Sequence, residues 1–230
     1  MGTYEAGNKT KHKISECARG LFYQHGFNNT TYKQLGTVAN VNLGMIVYHF
    51  KSLDNLADVV YQEILEERAK EFFRQADKLF GETLFKRSTL LLAFTRANVQ
   101  SYLDYPNYAG FVAERLIKSL TLDASAFDST LNEVCKDYNL EIPKEEAQLQ
   151  KYQFLPFPAI AVNAVHLGAV QDISAKEICD YTTKIRLRSY GLSEPQIDEI
   201  IKDVDFIASK IRLDIDDHMH FISEDSNTEE

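Results

Sequence analysis

The spacing of apolar residues along the chain is helical almost throughout. No segment of useful length alternates apolar and polar residues as a half-buried strand does, so the pattern predicts an all-α protein. The first predicted helix runs from about Lys9 to His25 with its apolar residues on one face. Gly26 follows it and suits the left-handed conformation that ends many helices.

Two short helices are predicted next. Thr31 and Gln34 form a capping-box pattern ahead of a helix of about eight residues, and Asn40 tolerates the positive φ of a sharp turn. Asn42 then caps a third helix, Leu43 to His49. The side chains predicted to close the small core of these three helices are Leu35, Val38, Ala39, Ile46, Val47 and Phe50.

A long fourth helix is predicted to begin at Ser52, whose hydroxyl can cap it, with Asp54 near the positive end of the helix dipole. Its apolar stripe continues toward Asp77 with no Gly or Pro to interrupt it. We therefore expect the first three helices to be joined to the rest of the chain by one rigid helix and not by a flexible linker.

The remaining chain predicts a helical body and an acidic tail. The tail from Asp214 onward holds seven acidic residues and no Lys or Arg, and it is expected to fray. The predicted domains are therefore a head (1–52), a body (53–213) and a tail (214–230). The predicted body helices are 83–103, 107–121, 126–139, 144–154, 158–171, 175–190 and 194–213.

Composition excludes several classes of protein. Apolar residues make up 44% of the chain and charged residues 26%, which is an ordinary globular mixture. Cys17, Cys135 and Cys179 lack any CxxC spacing, so neither a disulfide framework nor a zinc site is indicated. With no signal-peptide pattern and no apolar run of membrane-spanning length, we expect a cytoplasmic protein with no cofactor and no membrane partner.

The charge is unevenly distributed. The formal net charge is −9, but five basic and two acidic residues up to Phe50 give +3, whereas 20 basic and 32 acidic residues from Lys51 onward give −12. A basic head on an acidic body is typical of a small DNA-binding module attached to a sensing or oligomerising domain.

The two short helices predict a helix-turn-helix unit, whose second helix enters the major groove of DNA. Gly44 permits close approach of the backbone to a phosphate. The predicted base-edge contacts are Asn42, Leu43, Met45 and Tyr48, and the predicted phosphate contacts are Thr31, Lys33, Tyr48, His49, Lys51 and the amides after Ser52. The cluster Lys9, Lys11, His12 and Lys13 either adds phosphate contacts or solvates an exposed helix end.

Residues 31–52, which read TYKQLGTVANVNLGMIVYHFKS, resemble the DNA-binding head of TetR-type transcriptional regulators. The likeness covers about residues 10–60 and is most specific over residues 44–56. Asn40, Val47 and Leu53 depart from the pattern, where Gly, Tyr and Lys are usual. The last two changes remove phosphate partners and predict weaker general affinity for DNA.

The resemblance implies a homodimer that binds a palindromic operator in double-stranded DNA, with a small organic effector bound in the body. Aromatic side chains with a few polar anchors suit such a ligand, although aromatic residues at helical spacing are also ordinary core. Arg115 can bind a ligand carboxylate or pair with a body carboxylate. The candidate ligand-binding residues are Phe94, Asn98, Tyr102, Tyr105, Tyr108, Phe111, Arg115, Tyr152, Phe154, Phe157 and Asn163.

Two segments are candidates for the dimer surface. Residues 159–170 offer small side chains that allow close helix approach, and residues 197–211 offer an apolar stripe; burial within one chain is the alternative for each. His166 is interpreted as an interior histidine. The cluster Asp216, Asp217, His218 and His220 is interpreted as part of a solvated tail and not as a metal site.

Three functions are therefore weighed. The first is a repressor whose operator binding responds to a small molecule. The second is a TetR-like coactivator or adaptor that has lost DNA affinity, which Val47 and Leu53 motivate. The third, a helical-bundle enzyme, lacks a phosphate-binding loop, a nucleophile elbow or a metal-binding histidine pair, so the chain is not expected to be an enzyme.

Overall fold

The computed structural model describes residues 2–81, 84–119, 125–154 and 157–222, and the side chains of 7–81, 84–115, 129–149 and 160–222. Its described part is helical, with a single isolated β-bridge between Ile215 and Phe221. None of the described helices is long and apolar enough to cross a membrane. The helices are α1 (Gly2–His25), α2 (Tyr32–Ala39), α3 (Leu43–Phe50), α4 (Leu53–Phe80), α5 (Arg87–Asp104), α6 (Pro106–Ser119), α7 (Ser125–Tyr138), α8 (Lys144–Phe154), α9 (Phe157–His166), α10 (Ala175–Ser189) and α11 (Glu194–Ala208).

The predicted caps of the head are confirmed. The Thr31 hydroxyl accepts from the Gln34 amide while the Gln34 side chain accepts from the Thr31 amide, at 3.3 and 2.8 Å. Asn42 caps α3 by accepting from the Met45 amide at 3.0 Å, and Ser52 caps α4 in the same way. Local hydrogen bonds thus fix the first turns of α2, α3 and α4.

Two predicted core residues of the head are instead exposed. Leu35 and Ala39 of α2 are fully buried, but Val38 between them is 55% exposed. Val47 of α3 is 46% exposed, next to the buried Ile46. Residues four apart, such as Leu35 and Ala39 or Ile46 and Phe50, lie on the same side of a helix. Adjacent positions are rotated by about 100°, so Val38 beside Ala39 and Val47 beside Ile46 face outward.

Helix α4 is 28 residues long and has no break, as the sequence predicts. Its first half packs into a core shared with the head, which includes Phe22, Ile64 and Phe111. Its second half packs into a deeper body core around Phe72 and Leu187. Helix α5 crosses this body core and packs against α7, α10 and α11. One helix therefore runs from the head into both cores.

Three helix bounds differ clearly from the predicted ones. Helix α1 begins seven residues earlier, at Gly2, and α9 ends at His166, shortly before Gly168 takes a positive φ of 71°. Helix α11 ends at Ala208 because the Gln75 side chain accepts from the Arg212 amide and donates to the Arg212 carbonyl, at 3.3 and 2.8 Å. These bonds replace the helical hydrogen bonds that the apolar pattern predicted up to residue 213.

The predicted frayed tail is wrong for residues 214–222, which we call the C-terminal strap; residues 223–230 lie outside the described part. Met219 is fully buried with a φ of 61°, and Ile215 is 5% exposed. Arg19 of α1, itself 1% exposed, donates to the carbonyls of His218 and Met219 at 2.9 and 2.7 Å. The acidic composition suggested solvation, but the Asp214 carboxylate accepts from the Tyr105 hydroxyl, and the Asp216 carboxylate accepts from the amides of His218 and His220.

Arg19 also connects the strap to α4, because its two terminal nitrogens each donate to Glu67 at 2.7 Å. We predict that Arg19→Met lowers the free energy of unfolding by about 2–4 kcal/mol, because it leaves a carboxylate and two carbonyls without a donor. Chemical denaturation measures the change. The matched control is Arg188→Met, since Arg188 makes an exposed pair with Glu194, and exposed ion pairs contribute little to stability. Equal losses for the two variants would contradict this role for Arg19.

Candidate nucleic-acid interface

Helix α3 lies on the surface of the head, with one side packed in the core and the other exposed to solvent. Ile46 and Phe50 are buried, whereas Leu43 and Tyr48 are 52% and 70% exposed. Asn42 and Gly44 are exposed, and Met45 is half-buried. The predicted base-edge residues therefore share the accessible face of the second helix of a helix-turn-helix unit, which is the face that enters a major groove.

The predicted phosphate contacts are not equally available. Thr31, Lys33 and Lys51 are exposed, and Lys51 takes a positive φ of 67° between α3 and α4. His49 is half-buried, with its Nε2 buried and unpaired in the described part of the chain. His49 therefore has less freedom to reach a phosphate than the two lysines on the same surface.

The start of α4 is partly occupied by the head itself. The Leu53 amide donates to the Tyr32 hydroxyl at 2.8 Å, and the Asn55 amide donates to the Ser52 hydroxyl at 3.0 Å. Leu53 is half-buried against the head core. Leu at this position, where Lys is usual, therefore packs against the head core and supplies no cation to the surface.

The electrostatic surroundings of α3 favour a polyanion. No Asp or Glu occurs between Glu16 and Asp54, and the segment includes Lys33 and Lys51. Three further lysines of α1, Lys9, Lys11 and Lys13, are exposed, and Lys11 lies 5.8 Å from the centre of the Phe50 ring. Because α1 packs against α3, these lysines contribute positive charge close to the exposed face.

Helix α6 joins the head to the body. The Glu114 carboxylate accepts from the Phe27 amide and from the Asn28 side chain, both at 2.7 Å. Phe111 stacks on Phe22 of α1 with ring centres 5.2 Å apart. The loop after α1 and one face of α1 therefore rest on side chains of α6.

Arg115 completes this junction. It is 2% exposed and donates to the carboxylates of Asp54 and Asp58 in the first turns of α4. Burial alone lowers the pKa of Arg115, but hydrogen bonds to both aspartates outweigh it and raise the pKa. Of the two roles considered from the sequence, the geometry matches pairing with body carboxylates. Its guanidinium faces α4 and the Phe27 ring, 4.8 Å away.

The other candidate ligand-binding residues fall into separate places. Tyr102 and Asn163 line one small cleft, together with His166. Phe111 belongs to the junction with α1, and the Tyr105 hydroxyl donates to Asp214 of the strap at 2.8 Å. The side chain of Tyr152 lies outside the described residues, as do those of Phe154 and Phe157.

The cleft beside Tyr102 has a cavity volume of about 70 Å³ and lies between α5, α6 and α9. His166 closes one side of it, with its Nε2 2.8 Å from the Tyr102 carbonyl. A cavity that encloses a drug-sized ligand has on the order of 300–1,000 Å³. The cleft in this conformation therefore accommodates a small chemical group and not a whole ligand of that size.

A buried cation behind this cleft was missed in the sequence. Arg68 of α4 is 9% exposed and donates to the hydroxyls of Tyr102 and Tyr108 at 2.5 and 3.4 Å. Its position had a signal in the pattern, because Ile64, Arg68 and Phe72 follow one another at four-residue spacing on the buried stripe of α4. A charged residue on such a stripe needs a buried partner.

The structure corrects one of the two candidate dimer surfaces. The apolar stripe of residues 197–211 is buried within the chain, and Ile197 and Ile207 of this stripe are fully buried. It packs chiefly against α5. On α9, by contrast, Ile160 is 63% exposed, and Leu167 just after it is 76% exposed. Of the two segments, only residues 159–170 keep an apolar face in solvent.

The cluster at the end of the chain is tied into the strap. Ligand atoms of Asp216, Asp217 and His218 lie within 4.8 Å of one another. Asp216 accepts from the amides of His218 and His220, at 2.9 and 2.8 Å, and the His220 ring lies 2.7 Å from Glu16. These contacts hold the strap against α1.

No family model matches the chain. A protein of Bacillus subtilis (strain 168), "Probable HTH-type transcriptional regulator YttP", is 26% identical over 152 residues, which are 65% of this chain and 70% of that protein. The sequence likeness thus extends beyond the head into the body.

Solved structures with similar folds include a complex with a small ligand and a receptor. RolR in complex with resorcinol matches with a TM-score of 0.63 and 16% identity, over 93% of this chain and 100% of that chain. A gamma-butyrolactone receptor described as ArpA-like matches with a TM-score of 0.52 and 14% identity, over 89% of this chain and 100% of that one. Together with the head pattern of residues 31–56, these matches show that the chain has the fold of the TetR family of helix-turn-helix transcriptional regulators.

Proposed function

We propose that this chain is a transcriptional regulator that binds a palindromic operator as a homodimer and responds to a small organic effector. The observation that carries the proposal is the exposed face of α3, which protrudes from a buried three-helix core in a segment without acidic residues. The regulatory name of the B. subtilis relative and the ligand in the RolR structure support it. We infer that the chain is a repressor while it is bound to the operator. An effector that disturbs the head would release the operator and so relieve the repression.

The chemistry of the exposed face indicates how it reads DNA. Leu43 and Val47 present apolar side chains, and the Asn42 side-chain oxygen already caps α3. The face carries no Arg, Gln or Glu, the residues that make most bidentate contacts with guanine, adenine or cytosine. Apolar contact with thymine methyl groups is therefore the base-specific interaction that this helix can make best, while Tyr48 and the lysines contact the backbone.

Helices α4 and α6 supply the route from effector to operator. Helix α4 carries the buried Arg68 in its middle and the head at its start, and α6 carries Tyr108 near one end and Glu114 and Arg115 farther along. A small shift of either helix moves α3 relative to its copy in the dimer. The two copies of α3 must lie about 34–36 Å apart to read both half-sites.

The homodimer is proposed to form through α9 and the residues after it. Ile160 and Leu167 supply exposed apolar area there, next to the small side chains of Ala161 and Ala164. A helix pair with small residues at its contact can approach closely.

We predict that Leu167→Asp converts the dimer to a monomer, because it places a charge on the proposed apolar contact. Sedimentation is expected to show a monomer for this variant where the unchanged chain is a dimer.

We predict that Tyr48→Ala combined with Lys51→Ala lowers affinity for a selected operator at least tenfold, because two contacts to the DNA backbone are lost. Selection from a random duplex library at low salt identifies the operator, and fluorescence anisotropy measures affinity. The matched control is Tyr181→Ala with Lys136→Ala, which removes an exposed tyrosine and an exposed lysine from the body.

Failure to enrich any sequence at low or moderate salt would reject operator binding. It would favour the alternative of a coactivator or adaptor, for which the apolar side chains of Val38, Leu43 and Val47 supply a surface for another protein. Equal affinity losses in the double variant and its control would reject the assignment of the interface to α3.

A second prediction concerns base reading. Replacing thymine by deoxyuridine in the selected operator removes the methyl group alone, so affinity is expected to fall about threefold or more at each thymine that Leu43 or Val47 contacts. The same replacement should have little effect on binding by Leu43→Ala with Val47→Ala, since the apolar partner is then absent. Unchanged affinity for every deoxyuridine operator would show that the helix reads bases in another way.

A further inference from the structure

Four arginines of the described residues are almost fully buried, and three of them have carboxylate partners. Arg19 pairs with Glu67, with Glu63 3.8 Å away, and Arg115 pairs with Asp54 and Asp58. Arg96 pairs with Asp180 and Asp205. The chain thus supplies two carboxylates to each of these guanidinium groups, as expected when a charge is removed from water.

Arg68 is the exception. Its hydrogen bonds in the described part of the chain go only to the hydroxyls of Tyr102 and Tyr108, and no described carboxylate pairs with it. Its Nε is buried without a described partner, as are those of Arg96 and Arg115. Burial raises the pKa of Tyr108, so this phenol remains neutral and supplies no countercharge. Among the described residues, Arg68 is therefore a buried cation with hydroxyl partners and no carboxylate partner.

A second unpaired polar atom lies on the facing helix. The Arg68 guanidinium is 5.5 and 5.9 Å from the ring centres of Phe94 and Tyr102. Asn98 lies between these two residues at four-residue spacing on α5, and its buried Oδ1 has no partner among the described residues. The buried face around Arg68 thus combines aromatic walls, an unpaired donor and an amide.

The cleft between α5, α6 and α9 adjoins this face. Tyr102 lines the cleft and also binds Arg68 through its hydroxyl, so it separates the two. About 70 Å³ of space is enough for a carboxylate group or a few water molecules, because one water needs on the order of 10–15 Å³. Tyr102 is thus the one residue that both lines the cleft and contacts the guanidinium among the residues named at this site.

We propose that Arg68 binds the carboxylate of a small organic acid with an apolar body, and that this acid is the effector. A guanidinium pairs with a carboxylate through two parallel hydrogen bonds, and the aromatic side chains contact the rest of the ligand. The identification of the acid as effector rests on the proposed regulatory function. The anion site itself is independent of DNA binding.

The site also has a direct connection to the head. Tyr108, which binds Arg68, lies on α6 six residues before Glu114, which holds the loop after α1. A ligand carboxylate that takes over Arg68 releases the hydroxyls of Tyr102 and Tyr108. Binding then favours a different position of α6, provided that the ligand has a higher affinity for that arrangement.

The first test is made without ligand. Arg68→Met removes a cation that has no countercharge among the described residues, so we expect its Tm to equal or exceed that of the unchanged chain. Arg96→Met is the matched control, because it leaves Asp180 and Asp205 with only the exposed Lys176 as a partner. The Tm of Arg96→Met should fall by about 3 °C or more. The inference is overturned if the Tm of Arg68→Met falls as much as that of Arg96→Met, or if Arg68→Met does not fold.

The second test uses benzoate, phenylacetate and octanoate as probes, each compared with its neutral amide at pH 7. At least one carboxylate should raise the Tm of the unchanged chain by about 3 °C more than its amide does. Arg68→Met should abolish the difference, and Arg68→Lys, which keeps the charge, should retain part of it. Equal shifts for every acid and its amide, or a difference that persists in Arg68→Met, overturn the anion site.

The proposed operator binding and the proposed anion site at Arg68 can be rejected independently. A chain that enriches an operator but does not distinguish acids from amides retains the regulatory function and loses this inference. A chain that binds the acids through Arg68 but enriches no operator retains the anion site and loses the regulatory function. If an acid binds through Arg68 without changing operator affinity, its assignment as effector is overturned.

Discussion

The arrangement of the molecule depends on the junction between α6 and the start of α4. Arg115, buried at this point, holds Asp54 and Asp58, while its neighbour Glu114 binds the loop that follows α1. Removing one partner of such a buried pair costs about 3–5 kcal/mol in typical proteins, less where the aspartates remain partly exposed as here. The head is thereby fixed to the body by side chains as well as by the unbroken α4.

The strap adds a third connection that reaches the head from the opposite end of the chain. Arg19 joins α1, α4 and the strap, and the strap in turn covers one side of α1. Gly20 permits this approach, because a Cβ there would lie 2.9 Å from the His218 ring. The head, which includes α3, is thus held by contacts with α4, α6 and the strap.

Much of the head could be predicted from the sequence because its determinants are local. Thr31, Asn42 and Ser52 cap helices within three residues of themselves, and Asn40 forms its turn through its own backbone conformation. Val38 and Val47 were assigned to the core because apolarity alone does not reveal which side of a short helix is covered. The resemblance to TetR-type heads covered this segment and supplied the expected function.

The body was less accessible to such reasoning because its contacts join distant residues. The strap is buried through Arg19, about 200 residues away in sequence, and nothing in its acidic composition indicates that partner. The apolar stripe of residues 197–211 was recognised, but the sequence could not show that α5 would cover it. Arg68 was visible as a charge on a buried stripe, yet only the structure shows that its partners among the described side chains are tyrosine hydroxyls.

Residues 31–51 are proposed to read DNA in two symmetric copies of the chain. A hydroxyl-radical footprint of the purified protein on a selected operator tests it directly, because the footprint reports which sugars the bound protein covers. A homodimer with two copies of α3 is expected to give two protected segments on one face of the duplex, with centres about one helical turn apart. Protection that is absent, or that is spread evenly without regard to sequence, would contradict it.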